Sequence, residues 1–435
     1  VANKRDLKIT RHKPKKAGRE ARTAGPEELP PELSDLPSLP ESAPEPSVLP
    51  ARKRKHRHPI LKAAVRLLVV AAVLVAGIAV WKNWDKLAPE AVLDWIDLKL
   101  DGADKGDGFP YAISGDTVVS MGQVKNNLAL LTDTSLLFIN EKGGEIARRS
   151  HAYARPILET AGSYALVAER GGGRYQLETR RETALSGKLE GRNILAASLQ
   201  KDGKFALATD TSSQSSLSEL EVFDRKGNSL FAWKSPRLLL TDIALSPDGS
   251  HLAAVGVTAE AGNMRSTLLA FDLADKSAAP VEYSGDGLML YGVTYFAGGT
   301  AAAVGDTEVW VVKPGGTLFE KHTYDGLEPN GFAFGGSSIG IVLRHSGATE
   351  GGRLMVVNAS GDLAYTAEFG GAYRHLSPHE SGFWLLTSSA LHHAGLAGLD
   401  GQSVVEADGR MVVDYKQKAM VLGLTALTPA DGAES

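Results

Sequence analysis

The 435-residue chain sets 47 Lys and Arg against 51 Asp and Glu, a net charge of −4, and contains no cysteine. A disulfide framework is therefore excluded. The charge is unevenly placed: residues 1–59 hold 14 basic and 8 acidic side chains, Lys62, Arg66 and Lys82 add three positive charges, and residues 83–435 must then carry −13. An acidic part of that size should repel nucleic acid and other polyanions unless it bears a local basic patch.

In chain order, residues 1–25 mix basic side chains with Gly, Thr and Pro and contain only Val1, Leu7 and Ile9 as large aliphatics, too few to bury a core. They read as a solvated tail; the alternative is a polybasic arm that touches anionic lipid or nucleic acid. Residues 26–50 hold eight prolines and six acids with no base, an extended spacer. Residues 1–59 are thus expected to be disordered.

Ile60 to Trp84 follows, and its centre from Leu67 to Val80 lacks any charge, amide or proline. That centre covers only about 21 Å as a helix against a hydrocarbon core of about 30 Å. Lys62 and Arg66 can snorkel at one end while Trp81 and Trp84 form an aromatic belt at the other. Residues 60–84 are read as one transmembrane helix, with a buried helix or a signal peptide as the lesser alternatives. The basic cluster at 51–58, ARKRKHRH, holds the N-terminus in the cytoplasm and sends the acidic part outside. The expected location is the plasma membrane, crossed once. Residues 85–108 read as a short stalk helix and a Gly/Asp hinge; the Asp spacing at 101, 104 and 107 does not match an EF-hand.

From Phe109 onward, short apolar or alternating runs are separated by Gly, Asp, Asn and Ser, which is an all-β texture. The runs repeat: NLALLTD, SLLFIN and EIARRS are echoed by FALATDT, LSELEVFDRKGN and SLFAWK, and again by IGIVLRH, RLMVVNASGD and LAYTAEF. Blade starts are expected near residues 117, 156, 194, 240, 288, 329 and 373, a spacing that fits four-stranded propeller blades. RMVVDYKQ and KAMVLGL then supply two inner strands of another blade, with the outer strands expected from FPYAIS and the stretch before it. The fold class is an all-β propeller at residues 109–428, with eight blades favoured over seven and a disordered end at 429–435.

Ser246-Pro247-Asp248-Gly249 reads as a tight hairpin turn and resembles the SPDG hairpin of propellers of the WD, YVTN and TolB type. EVFDRKGNSLFAW, residues 221–233, is similar to the blade motif of quinoprotein dehydrogenases and of outer-membrane assembly lipoprotein propellers. With the basic tail, the single span, NNLALLTDTSLL and SHAYARP, the chain resembles a family of single-pass, membrane-anchored propellers of Gram-positive anaerobes, a domain of unknown function. That resemblance implies a fold and a location and no activity.

Candidate chemistry is sparse. Arg170 and Arg174 flank three glycines and could cradle an anion, although a plain Gly-rich hairpin is the commoner use of such a run. His151, Tyr153 and Arg155 lie on one inter-blade connection and could line a ring face, with turn packing as the bland reading. Asp133, like Asp224 and Asp272, ends a strand and is first a turn former. Arg170, Arg174, Arg180 and Arg181 are the one place for a basic patch. His375 and His379 cannot align on a helix across Pro378, and His392 and His393 alternate faces on a strand, so no metal site is expected. No catalytic residue and no cofactor are assigned. The favoured function is a non-catalytic binding or scaffold module for a protein, peptide or cell-wall ligand. The alternative is a propeller enzyme, quinone-dependent or glycan-cleaving, and a third reading is a structural part of an envelope complex.

Overall fold

The computed structural model describes Leu68 and residues 106–430 except 114, 212–214, 261, 314–318 and 406–407. The expected tail and span, and the stalk up to residue 105, otherwise lie outside the described residues, as does 431–435. Among the described residues no helix is long and apolar enough to cross a membrane. The chain divides between Asn83 and Trp84 into two compact units, and every strand belongs to the second.

From Tyr111 to Pro429 the regular elements are all strands, paired into eight four-stranded antiparallel sheets. Seven blades use four consecutive strands each: residues 118–150, 156–188, 194–235, 239–286, 290–323, 328–369 and 373–404, numbered here as blades 1 to 7. Their first strands begin at Val118, Pro156, Ile194, Leu239, Leu290, Glu328 and Tyr373, within two residues of the starts expected from sequence. Blade 8 is composite. Its strands Met411–Tyr415, Lys418–Leu422 and Ala426–Pro429 come from the C-terminal end, and Tyr111–Ala112 adds the outermost strand, with Tyr111 opposite Leu427. The expectation that both outer strands come from the start of the domain is corrected by one strand: Ala426–Pro429 supplies the third, because the turn after Leu422 lets the chain fold back on itself.

The eight sheets make a ring because each buries its faces against two neighbours. Eight hydrophobic clusters occupy the eight seams in turn; the seam between blades 8 and 1 holds Val413, Tyr415, Met420 and Leu427 against Leu128, Leu130, Leu137 and Ile139. No blade could bury both faces alone, so closure is what makes each of them stable.

Local chemistry repeats with the blades. At the end of the third strand in blades 1, 3 and 6, the side-chain oxygen of Asn140, Asp224 or Asn358 accepts two backbone N–H groups of the following turn, and a glycine (Gly143, Gly227, Gly361) takes the positive φ. Inner strands carry a second device. In blades 1, 3, 4, 5, 6 and 7 the register slips near the start, leaving Val119, Leu195, Thr241, Tyr291, Asn330 and Arg374 as bulge residues that sharpen the twist.

Candidate functional site

The turns between second and third strands and the inter-blade connections lie at one end of the strands, and the inner and outer hairpins lie at the other. The first end carries all six residues singled out from sequence. Asp133 sits in the turn after Asn127–Thr132, yet that turn is held by Thr132, whose hydroxyl accepts the N–H groups of Thr134 and Ser135. Tyr153 is buried, its ring 5.1 Å from that of His151, and the Arg174 guanidinium lies 5.0 Å from the Tyr153 ring centroid. Burial pushes the Tyr153 phenol up to about 12 and His151 below its usual value.

Arg174 grips Glu169 with two bonds of 2.8 and 3.0 Å and also donates to the Ala152 carbonyl. The hydrogen bonds from Arg174 hold the Glu169 carboxyl below its ordinary value. The amides of Arg170, Gly171 and Gly172 are engaged by the carbonyls of Arg155, Ile194 and Glu169, and the Arg155 guanidinium covers Gly171. The loop is thus a hairpin whose amides at 170–172 are already satisfied within it, in keeping with the plain Gly-rich hairpin weighed against an anion cradle. The four-arginine patch also divides. Arg174 begins the strand Arg174–Thr179, while Arg180 and Arg181 follow its other end, about 20 Å away at ordinary strand rise.

Arg170 has a different role: its charge acts on two acids of the inner strands, Glu159 in blade 2 and Asp242 in blade 4. Blade 3 alone separates these two blades along the ring, and the Asp242 charge reaches Glu159 from the next blade but one. Burial pushes Glu159 up to about 8, helped by the Asp242 charge, and burial likewise lifts Asp242 to about 6. Asp242 accepts the Val293 N–H at 2.9 Å, tying blade 4 to the inner edge of blade 5. Sequence gave no warning of this pair, since only the ring brings residues so far apart in the chain together.

The opposite end carries a cleft of about 800 Å³ between blades 4 and 5. In blade 4 the third strand, Asn263–Asp272, pairs with the fourth only as far as Ala270 opposite Val281, so Phe271 and Asp272 overhang. The chain returns by residues 273–280, leaving a wedge whose walls are Phe271, Tyr283, Tyr295 and Phe296, with Val281 at the lip. Lys201, Asp248, Asp272 and Lys313 stand around it, giving a mostly apolar pocket with charges of both signs at the mouth. The SPDG hairpin forms one edge as its sequence implies. Gly249 adopts φ +68 and donates to the Ser246 carbonyl, while Asp248 accepts from Ser246 Oγ at 2.6 Å and Ser250 Oγ at 2.7 Å, bonds that hold its carboxyl far below the ordinary range. The motif was visible in sequence; the cleft beside it was not, because the overhang is a matter of register.

Among the described residues no three or more His, Cys, Asp or Glu side chains are grouped to hold a metal ion. His375 and His379 do not act together, His375 Nδ1 being turned to the Val412 N–H at 3.4 Å.

Residues 111–399 match the sequence model of a family of unknown function, DUF5711. No curated protein matches the chain significantly. Among solved structures, the C-terminal WD40 domain of Sif2 is similar with a TM-score of 0.54 at 11% identity, covering 75% of this chain and 100% of that one. Apo AztD from Citrobacter koseri gives a TM-score of 0.46 at 10% identity, over 69% of this chain and 89% of the other. At such identities likeness shows the fold alone.

Proposed function

The chain belongs to the DUF5711 family of unknown function, and from that membership and its geometry we propose a non-catalytic binding module that seats a segment of a partner protein in the cleft between blades 4 and 5. The observation that carries this reading is the cleft itself. Its volume of about 800 Å³ suits a few side chains, Tyr283, Tyr295 and Phe271 offer large rigid contact area, and the mouth offers both acids and bases to fix orientation. We further propose that the propeller is displayed outside the plasma membrane on one span, with the N-terminus in the cytoplasm. The apolar run from Leu67 to Val80, flanked by a tail of net +6 and followed by a part of net −13, supports that placement.

Selection from a displayed peptide library against the full chain tests the first proposal. Enriched peptides should lose at least tenfold in affinity to Val281→Arg, which places a long charged side chain at the lip from a half-exposed position and so leaves the core untouched. Equal binding to wild type and variant would remove the cleft from consideration. Protease treatment of intact cells tests the second: the C-terminal part should be digested, and its protection would reverse the assigned orientation.

A further inference from the structure

The SPDG hairpin at the edge of the cleft between blades 4 and 5 leads into one imidazole whose hydrogen-bonding state the structure fixes. His251 opens the strand His251–Glu260, opposite Asp272, and lines the cleft with its ring 5.8 Å from that of Tyr295. Its Nδ1 lies 2.6 Å from Ser250 Oγ, and Ser250 Oγ lies 2.7 Å from Asp248 Oδ2. The same carboxylate accepts the Ser246 hydroxyl at 2.6 Å and the Ser250 N–H at 3.1 Å.

Two contacts at one hydroxyl leave a single arrangement. A serine has one hydroxyl hydrogen and an ionised carboxylate has none, so the contact to Asp248 holds a hydrogen only if Ser250 donates it. The contact to His251 then holds a hydrogen only if Nδ1 supplies it. The chain of bonds runs from His251 Nδ1–H to Ser250 Oγ–H to Asp248, and in the neutral imidazole Nε2 keeps the lone pair. Among the described residues no group bonds to Nε2, which is left open to the cleft.

Around that acceptor the walls are Phe271, Tyr283, Tyr295 and Phe296. Once an occupant displaces water from such a cleft, an acceptor left unmet costs more than a hydrogen bond returns, so the occupant must bring an N–H or O–H. A carboxylate would set lone pairs against a lone pair. An ammonium or guanidinium brings donors but must shed its water inside the cleft, where the charges of Asp248 and Asp272 are offset by Lys201 and Lys313. A large aromatic side chain that carries its own donor meets both demands at once.

Resting on the reading of this cleft as the seat of a partner segment, we propose that the segment anchors itself with a tyrosine or tryptophan, whose O–H or N–H donates to His251 Nε2 while its ring packs against the aromatic walls. Ser250 and Asp248 are positioning residues: they hold the imidazole proton on Nδ1 and so keep Nε2 an acceptor.

The test selects from a displayed library of random peptides on the full chain in detergent and synthesises the most enriched peptide. The enriched set should share one tyrosine or tryptophan, and exchanging it for phenylalanine in the synthetic peptide should weaken binding about fivefold, the worth of one neutral hydrogen bond. His251→Phe keeps a ring beside Tyr295 and deletes both nitrogens, so on that variant the original and the phenylalanine peptide should bind alike. Ser250→Ala frees the proton to move between the ring nitrogens and should shrink the same ratio. An equal ratio on wild type and His251→Phe, or an enriched set anchored by phenylalanine, arginine or an acid, overturns the inference, while loss of binding in Val281→Arg still keeps the cleft as the seat. Peptides indifferent to Val281→Arg, or a selection that enriches nothing, overturn both. Should His251→Phe fail to fold, the ring nitrogen shifts of histidine-labelled wild type at alkaline pH decide: His251 should show the Nδ1–H tautomer, and the Nε2–H tautomer overturns the inference.

Discussion

Leu427→Ala probes whether the ring is closed by the pairing of its two ends. Leu427 is fully buried, lies opposite Tyr111 of the closing strand, and shares the seam between blades 8 and 1 with Leu128, Leu137, Val413 and Leu422. Truncation to alanine forfeits the transfer free energy of the removed carbons and leaves a cavity that a two-sheet seam refills poorly, together about 3 kcal/mol. In a domain of this size each kcal/mol moves the thermal midpoint by about 2 °C, so a drop of about 6 °C is expected. Val119→Ala serves as the reference: Val119 is 40% exposed at a bulge, and its truncation should move the midpoint by no more than about 1 °C. Differential scanning fluorimetry on both variants suffices. A Leu427→Ala shift no larger than the reference would mean that the seam is open and the closing strand unseated.

The inner-strand acids give a pH signature. Because folding raises the Glu159 pKa to about 8, the unfolded chain sheds this proton first, so stability falls as pH rises from about 4.5 to 8. Glu159→Gln should therefore raise the midpoint at pH 9 by the equivalent of about 2 kcal/mol, discounted because the side chain is only partly buried, and leave it nearly unchanged at pH 4; equal effects at the two values would refute the assignment. Arg174→Gln should lower the midpoint by a few degrees through loss of the Glu169 fork and the Tyr153 contact, while binding of an anionic wall polymer stays at the wild-type level; lost polymer binding would return Arg174 to the ligand set. Gly227→Ala forces a Cβ onto a residue at φ +83 and within 3.2 Å of Leu185, so a loss of about 1 kcal/mol is expected in urea denaturation, against no loss if the turn can change type.

What the sequence determined by itself was periodic and local. Alternating apolar runs, the Asx and glycine turns at Asn140, Asp224 and Asn358, and the SPDG turn announced strands, hairpins and the blade repeat, since each depends on residues within a few positions of one another. The uneven charge and the apolar run before residue 84 are equally legible without coordinates. Tertiary structure decided everything that depends on register and closure. It paired Arg174 with Glu169, put Arg180 and Arg181 at the far end of the strand, and brought the Asp242 charge within reach of Glu159. It also opened the cleft by letting Phe271 and Asp272 overhang, and it brought His379 to His393 from the third strand of the same blade. The physical reason is common to all of these: a strand's own pattern fixes which face each side chain takes, but only the packing of blade on blade fixes which other side chain it meets.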